Sequence, residues 1–222
     1  MTPPEILPIH LALDHESEHG NPLHRLPGQL ALPAAARGIV VFVSACAAID
    51  DGGAAALKEE LLAAGVGTLE MDLLREQECH FADATTHLPR LSQRLLALLG
   101  MLRRRMDEQA IPELPVGLMA CGDATPLAAR VAAIRDRDVR ALACRGGLLD
   151  LAGVQYLKEL RAPLLMLAED TAGCTNARRA ATLIPGHVEV LEVQAGHTPE
   201  AVVVGWFRKW LTGPAQAGVR HA

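Results

Sequence analysis

The sequence predicts a doubly wound, mostly parallel α/β sheet flanked by helices and folded as a single domain. Three observations predict it. Short apolar runs alternate with helix-period segments along most of the 222 residues, which is the pattern of strands joined by crossover helices. Ile39-Val40-Val41-Phe42-Val43 is an unbroken apolar and largely β-branched run, as a strand buried on both faces requires. Leu88, Leu91, Leu95, Leu98, Leu102 and Met106 recur at spacings of three and four, which sets them on one helix face against a sheet.

The elements follow in order. A polar, histidine-rich stretch leads into a short strand, Gln29 to Pro33. Gly38 opens the central strand Ile39 to Val43. A loop from Ser44 to Gly53 precedes a helix over Ala54 to Ala64, stopped by Gly65, and a strand over Val66 to Met71 ends in Asp72. The leucine-striped helix runs from Thr85 to Gln109 and is broken by Pro112 and Pro115. Then come strand Val116 to Ala120, helix Pro126 to Ile134, strand Val139 to Ala143, helix Val154 to Leu160 and strand Leu164 to Ala168. Helix Asn176 to Leu183, strand Val188 to Val193 and helix Glu200 to Leu211 complete the domain, residues 1–212, and Gly213 to Ala222 reads as a frayed tail. Trp206, Phe207 and Trp210 on the last helix are explained by docking onto the sheet.

Composition narrows the function classes. Half of the residues are hydrophobic but only 3% are aromatic, so the core is built from Leu, Val, Ile and Ala. A formal net charge of −5 without a sustained basic tract argues against nucleic acid, whose phosphates need a clustered positive footprint. Arg103-Arg104-Arg105 sits at the end of a helical run, where cations complement the helix dipole. The longest apolar run, Ile39 to Ile49, is too short for the roughly 20 residues that span a bilayer, and no signal peptide is visible at Met1 to Glu5. Five cysteines with no CxxC pair do not form a disulfide framework. A soluble, cytoplasmic chain without a cofactor is expected, and a protein partner or homo-oligomer is left open.

In an open α/β sheet, ligands bind beyond the carboxyl ends of the strands. The residues found there are Ser44-Ala45-Cys46-Ala47, Asp72-Leu73-Leu74, Cys121-Gly122-Asp123, Cys144-Arg145-Gly146-Gly147, Glu169-Asp170 and Gly196-His197-Thr198. Gly38 to Phe42, Thr68 to Leu74, Leu114 to Leu118, Arg145-Gly146-Gly147 with Asp150-Leu151-Ala152, Ala162 to Leu165 and Trp206-Phe207, in that order and spacing, give the chain a resemblance. From about Leu30 to Leu211 it resembles the dienelactone-hydrolase-like branch of the α/β-hydrolases, in particular small hydrolases found fused to phosphoribosyltransferases.

The resemblance implies a nucleophile elbow, Gly-x-Ser-x-Gly, a tight strand-to-helix turn with small flanking residues. The matching pentapeptide is Ala120-Cys121-Gly122-Asp123-Ala124. Its small flanks are kept, but the nucleophile position is Gly122. The family's His-Gly-x-Gly-like oxyanion segment is replaced by Ser44-Ala45-Cys46-Ala47, where alanine at a left-handed position is strained. His197 stands at the base position, and Asp170, in a shortened acid loop, is the best match for the orienting carboxylate. A histidine and a carboxylate without a nucleophile do not perform acyl transfer by the triad mechanism.

The candidate binding residues are therefore Ser44, Cys46, Gly122, Asp123 and Arg145. Arg145 reads equally as an anion anchor and as an ion-pair partner of Asp72, Asp150 or Asp170. Asp123 is explained by capping of the following helix. The alternative is a thiol hydrolase using Cys121, His197 and Asp170. Cys121 lies one residue early, however, and is expected as a small buried thiol beside the elbow. Cys46, Cys79, Cys121, Cys144 and Cys174 are each expected toward one sheet edge, with His80 and His197, but no two have a recognised metal-ligand spacing. No metal site is expected, and Glu78-Cys79-His80 is read as part of a mobile loop over the pocket.

Overall fold

The computed structural model describes residues 3–13, 25–45, 53–81, 86–194 and 199–212. Its strands are β1 (Glu5–Ala12), β2 (Arg25–Leu32), β3 (Ile39–Ser44), β4 (Gly67–Asp72), β5 (Val116–Cys121), β6 (Val139–Arg145), β7 (Leu164–Ala168) and β8 (Val188–Glu192). Its helices are α1 (Gly53–Ala63), α2 (Leu88–Asp107), α3 (Ala124–Ile134), α4 (Val154–Glu159), α5 (Thr171–Ala181) and α6 (Glu200–Leu211). The strands form one eight-stranded sheet in the order β1-β2-β4-β3-β5-β6-β7-β8. β2 runs antiparallel to both β1 and β4, and every later pairing is parallel.

Alternation along the central strands separates two cores. Val41, Leu118, Ala120, Leu142, Cys144, Leu164 and Met166 face α2, α3, α4 and α5, while Val40, Met119, Ala141, Ala143, Leu165 and Leu167 face α1 and α6. Strands covered on both faces are continuously apolar, which is why β3, β5, β6 and β7 are legible as unbroken runs. The leucine stripe of α2 buries Leu91, Leu95, Leu98 and Leu102 as its spacing predicts. On the other face, α6 seats Phe207 so closely that a Cβ at Gly117 would lie 2.6 Å from its ring. The Trp206 indole donates to the Leu142 carbonyl at 3.1 Å. Docking accounts for these aromatics, as expected.

The largest departures from the sequence reading are three. The N-terminal polar stretch contains a full strand, β1, which pairs with a β2 that starts at Arg25. The leucine-striped helix starts at Leu88, after the His87 ring accepts from the Arg90 N–H. Helix α5 starts at Thr171 rather than Asn176, because the Asp170 side chain caps it. The frayed tail beyond Gly213 lies outside the described residues. No helix among the described residues is long and apolar enough to cross a membrane.

Candidate active site

The strands whose ends carry chemistry are adjacent in the sheet: β4, β3, β5, β6 and β7. In register, Ser44 faces Asp72, Cys121 faces Arg145, and Arg145 faces Leu167. By the same alternation that separates the cores, Cys121 and Arg145 project to the α1/α6 face, and Cys144 to the α3 face.

Immediately after β5 the chain turns sharply. Gly122 has φ +53, its N–H donates to the Arg145 carbonyl at 2.8 Å, and its own carbonyl accepts from the Thr125 N–H at 3.0 Å. That left-handed conformation is what a strand-to-helix elbow requires of its apical residue, and glycine adopts it freely. Among the described residues, a Cβ built on Gly122 meets nothing within 4 Å, and glycine itself places no functional group there. Ala124 and Thr125 behind it are buried, so the small flank predicted for the turn is needed.

Strand β6 ends in a second tight feature. Gly146 (φ +62) and Gly147 (φ +76) are both left-handed. A Cβ on Gly147 would lie 2.0 Å from the Gly122 carbonyl oxygen, and one on Gly146 would lie 2.7 Å from a Glu169 carboxylate oxygen. This double-glycine turn lets the β6 loop press against the elbow.

The polar candidates settle differently from expectation. The carboxylate beside Arg145 is Glu169, with Oε1 3.6 Å from Nε, not Asp72, Asp150 or Asp170. Asp150 pairs instead with Arg179 at 2.8 Å. Asp170 accepts from the Gly173 N–H as the cap of α5; that bond commits one of its oxygens to structure. Asp123 takes the cap position of α3, but its side chain makes no capping hydrogen bond, so the capping account of its carboxylate fails. The Ser44 and Ala45 carbonyls accept from the Leu73 and Leu74 N–H groups at 2.9 and 3.1 Å, which ties the end of β3 to that of β4. Cys46 and His197 lie outside the described residues.

The described cysteines differ in state. Cys121 is not disulfide-bonded and is exposed, contrary to the buried thiol expected beside the elbow. It is the last residue of β5, on the face of the sheet opposite α3. Cys144 and Cys174 are free and buried, Cys174 on α5. Burial pushes the Cys144 thiol well above the ordinary range, so it stays protonated. Cys79 is disulfide-bonded. Among the described residues no group of three or more His, Cys, Asp or Glu side chains could hold a metal ion.

The Glu78 segment is the largest correction. It forms a 3-10 turn, Glu78–His80, and Glu78 is 7% exposed. Both of its oxygens accept from Arg94 at 2.8 Å, and one accepts from the Arg75 N–H at 2.9 Å. The Arg94 guanidinium also donates to the Leu73 carbonyl at 2.7 Å. These bonds, Arg94 foremost, hold the Glu78 carboxyl far below the usual carboxylate range. The segment is a staple between the β4 end and α2, not a mobile lid.

Strand order, the parallel register and the turn at Gly122 together define an α/β-hydrolase fold. The comparisons agree. A dienelactone hydrolase from Anabaena variabilis superposes with a TM-score of 0.78 at 23% identity, covering 95% of this chain and 100% of that one. A cold-adapted esterase from an Arctic intertidal metagenomic library gives 0.69 at 13% identity, over 95% and 96% of the two chains. In sequence, two Mycobacterium tuberculosis proteins, each named "Putative phosphoribosyl transferase", are 31% identical over 207 residues, which is 86% of this chain and 45% of theirs. The chain thus spans about half the length of the curated relatives it matches. No known family's profile matches it.

Proposed function

We propose that this chain is an α/β-hydrolase-fold protein without serine-hydrolase activity, which binds a small molecule or a partner at the strand ends around Gly122. One observation carries the reading: the apical residue of the elbow turn has φ +53 and open space above it, yet no side chain. The turn that presents a nucleophile is kept, and the nucleophile is missing. The altered Ser44-Ala45-Cys46-Ala47 segment and the use of Asp170 as a helix cap point the same way. A fluorophosphonate probe is expected to leave the protein unlabelled, and a panel of p-nitrophenyl esters to go unhydrolysed. Steady ester turnover abolished by His197→Ala would sink the reading.

A second reading is favoured by the exposure of Cys121, namely a thiol hydrolase acting on an ester, thioester or lactone with His197 and Asp170. Exposure alone makes Cys121 alkylate faster than the buried Cys144 and Cys174, so rate order does not discriminate. The pH profile does. An ordinary accessible thiol gives an iodoacetamide rate with a midpoint near ~8.5, whereas an activated one titrates well below it. On the first reading the wild-type midpoint is unmoved by His197→Ala; a midpoint depressed in the wild type and restored by His197→Ala would favour the thiol enzyme.

A further inference from the structure

The elbow turn at Gly122 is held from outside by the loop after β6, and one side chain joins the two. Thr125, in the first turn of α3, is 0% exposed. Its hydroxyl donates to the Gly146 carbonyl at 2.9 Å, while its N–H donates to the Gly122 carbonyl at 3.0 Å. Gly147 then packs against the Gly122 carbonyl, and the Gly122 N–H returns to the Arg145 carbonyl. Every contact in this ring is backbone to backbone except that of the Thr125 hydroxyl. A buried hydroxyl without a partner is costly, so the bond to Gly146 fixes both the side chain and the spacing between α3 and the loop.

We propose that Thr125 is the positioning residue of this site. Its hydroxyl clamps the first turn of α3 to Gly146 and thereby sets the Gly122 turn, and the Asp123 and Ala124 amides that follow it, in the geometry a ligand meets. The assignment rests on the reading above that ligands meet the chain at this turn. Asp123 already has helical dihedrals, φ −62 and ψ −18. Its amide and the next therefore head the helix, where N–H groups lack intrahelical acceptors and the dipole favours negative charge. If the clamp is lost, the amides drift from the apex while the helix itself persists.

A thiolate placed at the apex reads this geometry directly. Gly122→Cys in a Cys121→Ser background puts a sulfur where a Cβ meets nothing within 4 Å, at the amino end of α3. Its iodoacetamide rate against pH is expected to give a midpoint below the ordinary ~8.5 of a free thiol. Adding Thr125→Val, which keeps volume and branching but removes the hydroxyl, is expected to raise that midpoint by about half a unit or more. Thr125→Ser, which keeps the hydroxyl, should leave it in place. The proposal is overturned by an ordinary midpoint in the parent, by no movement in Thr125→Val, or by an equal movement in Thr125→Ser. Should Thr125→Val not fold, the serine variant still decides: an unmoved midpoint supports the clamp and a raised one refutes it. The probe reports the turn itself, so its outcome is separate from whether the wild type hydrolyses esters.

Discussion

Replacing Glu78 with alanine is expected to lower the unfolding free energy by about 3–5 kcal/mol, the usual cost of removing one partner from a buried ion pair. The large figure follows from what is left behind. Arg94, 13% exposed at its side chain, would keep its bond to the Leu73 carbonyl but lose both carboxylate oxygens. Glu78→Gln, which retains acceptor and shape, should cost less. Urea unfolding at neutral pH checks both. The pH dependence has a definite sign. The folded-state value is depressed, so the unfolded chain takes up the proton first. The stabilisation is therefore complete above the unfolded carboxyl value of about 4.3 and drains away as pH falls through the lower folded value. The gap between wild type and Glu78→Gln should accordingly narrow on acidification. A gap that widened would show that the Arg94–Glu78 contact does not stabilise the fold.

The two glycines that meet at the turn are expected to respond unequally to alanine. At Gly122 the methyl has open space and only the left-handed backbone is penalised, by about 1–2 kcal/mol. At Gly147 the same penalty applies, and the methyl would collide with the Gly122 carbonyl at 2.0 Å. Overpacking of that kind adds about 1–3 kcal/mol. Gly147→Ala should therefore be clearly the less stable variant in chemical denaturation, and Gly122→Ala a folded protein. Equal losses would mean that the β6 loop does not press on the elbow.

Much of the fold was legible because its central strands are covered on both faces and therefore read as continuous apolar runs. β1 was not, since Pro8 and His10 interrupt an edge strand whose outward positions are exposed. The positive φ at Gly122 fits a glycine set between small residues at the end of β5, Ala120 and Ala124. The partners of the polar groups were not. Glu78 looks like loop because its arginines lie on the next helix, and only the packing of α2 brings Arg94 across a separation of 16 residues. A signal was present in Arg90 and Arg94, one turn apart beside the buried Leu91 and Leu95, since a charge next to a core stripe needs a buried partner. Glu169 was passed over for its neighbour Asp170, although alternation from Leu167 places Glu169 on the Arg145 face. Thr125 directly precedes the helix predicted from Pro126, and its buried hydroxyl matters only once the end of β6 lies alongside.

The seating of α6 bears on how the protein can be observed. Both tryptophans, Trp206 and Trp210, are on that helix, stacked or tilted against the His187 ring with centroids 5.9 and 5.7 Å away. His187 precedes β8, and its carbonyl accepts from the Leu164 N–H at the start of β7, so this aromatic group belongs to the amino ends of the strands. Intrinsic fluorescence is therefore a gauge of whether the last helix is docked. It has no tryptophan at the carboxyl ends, where Gly122 and Arg145 stand, so a titration followed by tryptophan emission alone is a poor reporter of a ligand arriving there.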